Sequence, residues 1–430
     1  MTHPIALTHC AKAGFKLTYP YRVLDLFSGA GGMSYGFHAT EGFQIVGAVD
    51  AQRGKPSSGA GTLECNKTYE ANIGVKPLEA DISSLTPDQI DEYLIRTTGS
   101  AKVDVLISCA PCTGFSRTVR KNLVEDDARN SLVANSSIFV EHYQPEIFVM
   151  ENVGELLSGK FKHHFEILRD RLHSLGYIVK AELHNLSHFG LPQNRKRALI
   201  IAAKKDKFSA IRHLDDLWEG YSIDPSATTV RRAIANLPPL AAGETDSQDE
   251  NHRSPKLSSL SLERLSKIPK DGGSWFNLLE VEGGENLLIP SMKSQLAKGK
   301  IGPYPDVYGR MKWDAPSVTI KRECSHTGNG RYAHPDQNRL CTIRELGILQ
   351  GFPKHYRFVG TSLSNRYRHI GDAVPPLISY QIAAVCKWMI RNIRPTVGEI
   401  ILPGSHLSTE DVKEKQAETQ DVQYSLPCML

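Results

Sequence analysis

The sequence predicts an α/β protein built on a doubly wound parallel sheet, with a smaller irregular domain inserted late in the chain. Three observations carry this prediction. Apolar runs of strand length alternate with helical patterns through the first 203 residues, a glycine-rich turn follows the first run, and the next strand ends in an aspartate.

In order, the runs are RVLDLF (22–27), FQIVGAVD (43–50), VDVLIS (103–108) and EIFVM (146–150). GYIVKAELHNL (176–186) and RALIIAA (197–203) extend the sheet, separated by a short loop. Beyond about residue 204, Gly, Pro and polar residues break the periodicity. Regular patterns return with RLCTIRELGILQGFP (339–353) and GDAVPPLISYQIAAVCKWMIRNI (371–393), the latter amphipathic and helical. The expected organisation is a sheet domain over 1–203, an irregular domain over 204–333, a return to the first domain over 334–395, and a polar tail over 396–430.

Bulk composition excludes several classes. With 430 residues, 40% hydrophobic and 23% charged, the chain can bury a large core. No apolar run approaches the roughly 20 residues of a membrane span, and MTHPIALTHCAKAG lacks the layout of a secretory leader. No membrane partner and a cytoplasmic location are therefore expected. Net charge is +4, which permits a polyanionic partner without requiring one. Of 8 cysteines only Cys109 and Cys112 lie close together, no second C-x-x-C follows, and the nearby His163, His164 and His173 fall short of H-x-x-x-H spacing, so no metal is expected.

The turn DLFSGAGGMSYGF lets backbone approach a ligand and opens a helix whose first amides favour polar groups. Ser34 breaks the dinucleotide pattern G-x-G-x-x-G. Asp50, closing the second strand, is placed to accept from ribose hydroxyls, and Asp81 in LEADIS to accept from an adenine amino group. A nucleoside ligand is expected.

Ligands of such sheets bind outside the carboxyl ends of the strands, which puts Cys112, just beyond VDVLIS, and Glu151, just beyond EIFVM, on one rim. QNRKR (193–197) is the third contributor; in an extended chain Gln193, Arg195 and Arg197 share a face. A thiolate attacks an electron-poor ring, a carboxyl engages the ring nitrogen, and an arginine holds a carbonyl oxygen.

Together these motifs resemble the cytosine-C5 DNA methyltransferases. DLFSGAGG resembles that family's first motif, PC (111–112) its nucleophile motif, ENV (151–153) its acid motif and QNRKR its Q-x-R-x-R motif. RLCTIRELGILQGFP and GDAVPP resemble the closing two. The resemblance implies a Rossmann-like S-adenosylmethionine-dependent methyltransferase fold with a target-recognition domain at 204–333. It implies methyl transfer from S-adenosylmethionine to carbon 5 of a flipped cytosine in duplex DNA. Cys112 would add to carbon 6, Glu151 would engage N3 and the amino group, Arg195 would bind O2 with Arg197 in support, and Cys109 would be a bystander. Cofactor contacts would come from Phe27, Ser28, Gly29, Ala30, Gly31, Gly32, Asp50, Asp81, Ile82, Leu132, Asp372 and Ala373. Arg117, Arg120 and Lys121 would reach phosphates; Arg231, Arg232, Lys293, Lys298, Lys300, Arg310 and Lys312 are further candidate DNA contacts.

The chain departs from the family pattern in carrying Ala51 where an aromatic is frequent, Asp372 where Asn is usual, and Thr113-Gly114 after the nucleophile. A bacterial restriction–modification setting is expected, with the monomeric enzyme at the nucleoid and a cognate endonuclease as a possible companion. The rival readings are an RNA-cytosine methyltransferase, a silent DNA-binding module and a nicotinamide oxidoreductase.

Overall fold

The computed structural model describes residues 20–53, 61–111, 126, 130–297 and 306–415. Seven strands form one sheet: β1 (Tyr21–Asp25), β2 (Phe43–Asp50), β3 (Leu78–Glu79), β4 (Val105–Ile107), β5 (Ile147–Asn152), β6 (Tyr177–Asn185) and β7 (Lys196–Lys204). Their order is β3-β2-β1-β4-β5-β7-β6, with chain reversal at β1/β4. All pairs are parallel except those of β7, which runs antiparallel to both neighbours. The connection between β6 and β7 spans only residues 186–195 and holds one 3-10 turn, too short for the helical crossover a parallel partner needs.

Both faces of the sheet are covered, as continuous apolar strands require. Val23, Val105, Ile107, Ile147, Val149, Leu199 and Ile201 enter one core, while Leu24, Leu106, Phe148, Met150 and Ile200 enter the other. In β2 the alternation slips: Ile45 and Ala48 share a core, and the ladder shifts between Val23/Ile45 and Leu24/Gly47. Such an irregularity re-aims the following residues, Asp50 among them.

The first helix, Gly32–His38, crosses the long helix Pro376–Arg391 at close range. A Cβ on Gly32 would lie 2.2 Å from Val374 O, and one on Gly36 would lie 2.2 Å from Ser379 C. Ser379 Oγ donates to Gly32 O (2.9 Å) and accepts from Gly36 N (3.1 Å). Glycines four apart thus open one helical face to the returning segment. The stretch Leu363–Arg391 is apolar and long enough to cross a membrane, but 78% of its most apolar window is buried.

A separate small core joins Leu265, Ile268, Trp275, Leu278, Leu287, Met292 and Tyr308. Flanking parts of the expected insert, from Phe208 to Ile234 and from Met311 to Ile320, pack into the main core instead. The expected polar tail is corrected over 396–415. Ile400, Leu402 and Leu407 are buried, and β9 (Val412–Glu414) pairs antiparallel with β8 (Tyr221–Ile223). The apolar residues that seat this segment precede the charged run that suggested a tail.

Candidate active site

The ladder sets Asp25 opposite Ile107, and Ile107 opposite Val149. By strand period Asp25, Cys109 and Glu151 therefore share one face at the carboxyl ends of three parallel strands. β7 enters at the same edge from the opposite direction and adds Arg197.

Asp25 is fully buried, and burial pushes its carboxyl up to about 7 against the opposing bonds from Ser34 and Phe27. Ser34 Oγ donates to it at 2.7 Å, and Tyr69 OH donates to Ser34 Oγ at 2.9 Å. Burial, with Asp25 and Glu151 nearby, raises the Cys109 thiol well above its ordinary value, which suits a bystander. Its sulfur accepts the Glu151 amide at 3.4 Å.

Glu151 is buried, and Arg197 Nε lies 2.9 Å from its Oε1 as an ion pair rather than an aligned hydrogen bond. Arg195 is placed otherwise. Also buried, it donates from Nη1 to Ile320 O (3.1 Å) and from Nη2 to Ala373 O (3.4 Å). Arg197 thus stands beside the carboxyl, and Arg195 ties the strand end to two distant backbone segments.

Three amide side chains brace this arrangement: Gln193, named from the sequence, and Asn152 and Gln350, absent from the sequence-based candidates. Asn152 donates to Ala110 O at 3.1 Å and accepts Val153 N at 2.9 Å, clamping the approach to residue 112 onto the end of β5. Gln193 donates to Gln350 Oε1 (2.8 Å) and accepts Ile320 N (3.0 Å), while Gln350 donates to Ala373 O (2.7 Å).

A second cluster surrounds the glycine turn. Gly29 has φ of 49° and open space where a side chain would stand, as a ligand cradle requires; Gly31, at φ 91°, is packed beneath Ile73 and Tyr356. Gly32 is occupied by helix packing. Asp50 accepts Gly29 N (2.9 Å) and Gln52 N (2.6 Å), so it shapes the turn as well as facing the cleft. Asp81 caps its 3-10 turn through Ser83 N (3.0 Å) and pairs with Arg53. Burial would raise its pKa, but the Ser83 bonds and Arg53 outweigh it and lower the value. Ser28, Ala30, Ile82 and Ala373 are buried, while Phe27 and Leu132 are half-buried against the second core.

Asp372 is reached by solvent yet ringed by protein, as a residue in a cleft is. Crowding pushes its carboxyl up to about 6, with Arg322 opposing and Asp50 and Glu323 adding. It pairs with Arg322, whose other nitrogen donates to Arg53 O at 3.2 Å. The Asn-to-Asp departure thus comes with a cationic partner.

Cys112, Arg117, Arg120, Lys121, Lys298 and Lys300 lie outside the described residues. Arg310 is corrected as a DNA contact. It is 1% exposed and spends its guanidinium on the carbonyls of Leu265, Ile268, His334 and Gln337, holding the small core together. Arg231 pairs with Asp314 and Arg232 with Asp411 at the surface, and Lys293 and Lys312 are exposed.

The family model described as C-5 cytosine-specific DNA methylase matches residues 21–388. The chain belongs to this family. It is 34% identical over 385 residues to the Type II methyltransferase M1.HphI of Haemophilus parahaemolyticus, covering 87% of this chain and 88% of that one. With the Type II methylase M.HgiDII of Herpetosiphon aurantiacus it shares 29% over 377 residues, 86% and 96% of the two chains. The S. pombe Dnmt2 methyltransferase structure superposes with a TM-score of 0.54 at 19% identity, covering 85% and 98%, a likeness of fold. As a C-5 DNA methylase the enzyme uses S-adenosylmethionine as methyl donor. The open turn at Gly29, with Asp50 and Asp372 at its cleft, fits a cationic, hydroxyl-bearing nucleoside.

Proposed function

We propose that the rim of the sheet methylates a cytosine extruded from duplex DNA, with Cys112 as nucleophile and Glu151 and Arg197 as the groups that hold the base. The contact between Glu151 and Arg197, on the face that also carries Asp25 and Cys109, is the observation that supports this reading. A carboxyl beside a guanidinium matches one edge of cytosine, where N3 and the amino group adjoin the carbonyl O2.

Carbon 6 of a stacked base is out of reach, so the base leaves the helix at a cost of a few kcal/mol, least where pocket contacts replace the lost pairing. Cys112 sulfur bonds to carbon 6, and the ring electrons move toward carbon 5 while Glu151 shares a proton with N3 and Arg197 donates to O2. S-adenosylmethionine, when bound, supplies an electrophilic methyl group. Loss of the carbon 5 proton and departure of the sulfur then restore the aromatic ring and the free thiolate. Gly29 and Asp50 would hold the cofactor, with Asp372 and Asp81 at the cleft's edge.

Lys293 and Lys312, both exposed, would meet phosphates. The Type II names of two relatives support a bacterial restriction–modification role; in this reading the enzyme acts as a monomer at the nucleoid beside a cognate endonuclease of the same sequence specificity.

Duplex oligonucleotides carrying 5-fluorocytosine test the chemistry, because the missing carbon 5 proton halts the adduct. With methyl donor present, a denaturation-resistant crosslink mapped to Cys112 is expected. Cys112→Ala should bind DNA without methylating it. Methyl incorporation into tRNA alone, or a crosslink mapped elsewhere, would reject the proposal.

A further inference from the structure

Glu182 and His184 lie two residues apart on the outer strand β6, so they share a face, and the ladder sets them opposite Leu199 and Arg197. His213, fully buried, meets them from the N-cap of the short helix Leu214–Trp218. Each offers one ligand atom to a common point. His184 Nε2 is 2.9 Å from His213 Nδ1, His213 Nδ1 is 3.1 Å from Glu182 Oε2, and His184 Nε2 is 3.4 Å from the same oxygen. A tetrahedral zinc ion bonded at about 2.0–2.1 Å holds its ligands about 3.3 Å apart. The triangle is close to that size.

Proton accounting points the same way. His213 Nε2 faces Leu199 O at 3.3 Å, which requires an N–H there and leaves Nδ1 a lone pair. That lone pair faces Glu182 Oε2, an oxygen sealed from water with no hydrogen-bond donor. A His184 Nε2–H reaches both acceptors, 2.9 Å from His213 Nδ1 and 3.4 Å from Glu182 Oε2, and a metal ion at the same point would replace that shared proton with bonds to all three atoms. Lys180 is 3.4 Å from the other Glu182 oxygen, Oε1, and 3.2 Å from Asp216. Behind the candidate ligands, Asp215 Oδ2 lies 3.7 Å from His184 Nδ1, and Leu199 O backs His213. A carboxylate behind one ring and a carbonyl behind the other is the outer shell that orients histidine ligands.

We propose that Glu182, His184 and His213 bind a divalent transition metal, zinc by the character of its two imidazoles and one carboxylate. The ion pins the helix Leu214–Trp218 to the edge of the sheet and steadies the strand end that faces Arg197. No cysteine is needed, so a search for cysteine spacing passes over it.

The test uses the full chain: metal content by plasma mass spectrometry after gel filtration, then cobalt(II) titration of the chelator-stripped protein followed in the visible spectrum. One equivalent per chain is expected, with the absorption bands of tetrahedral cobalt and a melting temperature that rises with zinc. Glu182→Gln should abolish stoichiometric binding. Asp215→Asn, at an exposed position, should fold normally and weaken affinity by about 10–100-fold. Asp126→Asn, beside the other histidine pair, His163 and His164, should leave binding intact. A folded wild-type chain that takes up neither metal, and whose melting temperature ignores both, would overturn the proposal in favour of an imidazolium–carboxylate pair.

Discussion

Removing the Asn152 side chain tests whether the acid and the nucleophile are held in register by one clamp. Asn152→Ala deletes the bond to Ala110 O and the bond from Val153 N, both at a residue 1% exposed. Each deletion strands a backbone group at about 1–3 kcal/mol, so a loss of about 2–6 kcal/mol in unfolding free energy is expected. The effect on chemistry should exceed the effect on folding under native conditions. Residue 112 follows Ala110 by two positions, and a misplacement on the order of 1 Å can cost about 100-fold in rate. Urea denaturation measures the first quantity; single-turnover transfer of tritiated methyl into duplex DNA, at saturating donor and DNA, measures the second. Asn152→Asp keeps the acceptor for Val153 N but turns a donor into an acceptor against Ala110 O, so it should be slow as well. If Asn152→Ala were destabilised as calculated yet transferred methyl at the wild-type single-turnover rate, the clamp would be structural only and the reasoning refuted.

Four further outcomes follow from the geometry. Arg197→Ala should lower single-turnover methylation by two orders of magnitude or more with little change in melting temperature. Arg195→Ala strands the Ile320 carbonyl and removes one of two donors to Ala373 O, so it should lower stability first; the reverse pattern in thermal melts and kinetics would restore the sequence-based assignment. Asp25 has a raised folded-state pKa, so its contribution to stability is present below about pH 4 and is lost as pH rises through about 7. The loss runs at up to about 1.4 kcal/mol per pH unit. Asp25→Asn should flatten that decline between pH 5 and 8 in denaturant titrations, and an unchanged slope would contradict the burial argument. Gly32→Ala would set a methyl 2.2 Å from Val374 O, and overpacking there should cost about 1–3 kcal/mol, read as a lower melting temperature.

What the sequence made legible was whatever depends on strand period and local motif. The strands of the sheet and the face shared by Gln193, Arg195 and Arg197 follow from alternation; the strand order and the antiparallel pairing that brings that face to Glu151 do not. Period could not choose between Arg195 and Arg197, because both lie on that face. Their different positions are set by carbonyls at Ile320 and Ala373, more than a hundred residues away, which accept from Arg195. Asp25 was legible in principle: a carboxylate inside an apolar run, on a strand buried on both faces, requires an explanation. Gly32 and Gly36 carried a signal too, since spacing of four puts them on one helical face, yet the turn at Gly29 drew both into a ligand-binding reading. Arg310 was misjudged because a basic residue in a polar, irregular stretch reads as surface, and only the carbonyls converging on it show otherwise. His213 lies 29 residues beyond His184 with no local pattern to connect them; only the hairpin of β6 and β7 brings them together.

The segment 371–376 explains why the chain returns to its first domain after the insert. Ala373 O accepts from both Arg195 and Gln350, Val374 O abuts Gly32, and Asp372 is bound through Arg322 to the backbone of Arg53. One short stretch therefore touches the strand end at Arg195, the helix that follows the glycine turn and the lip beyond Asp50. Most of these contacts are made by its backbone, so the position of the segment matters more than its side chains. The exception is Asp372, where a side-chain charge has replaced the family's usual amide and brought Arg322 with it. Such an exchange leaves the backbone junction unchanged while altering the charge that faces the cofactor cleft, which is how a departure from the motif at this position is compatible with the same architecture.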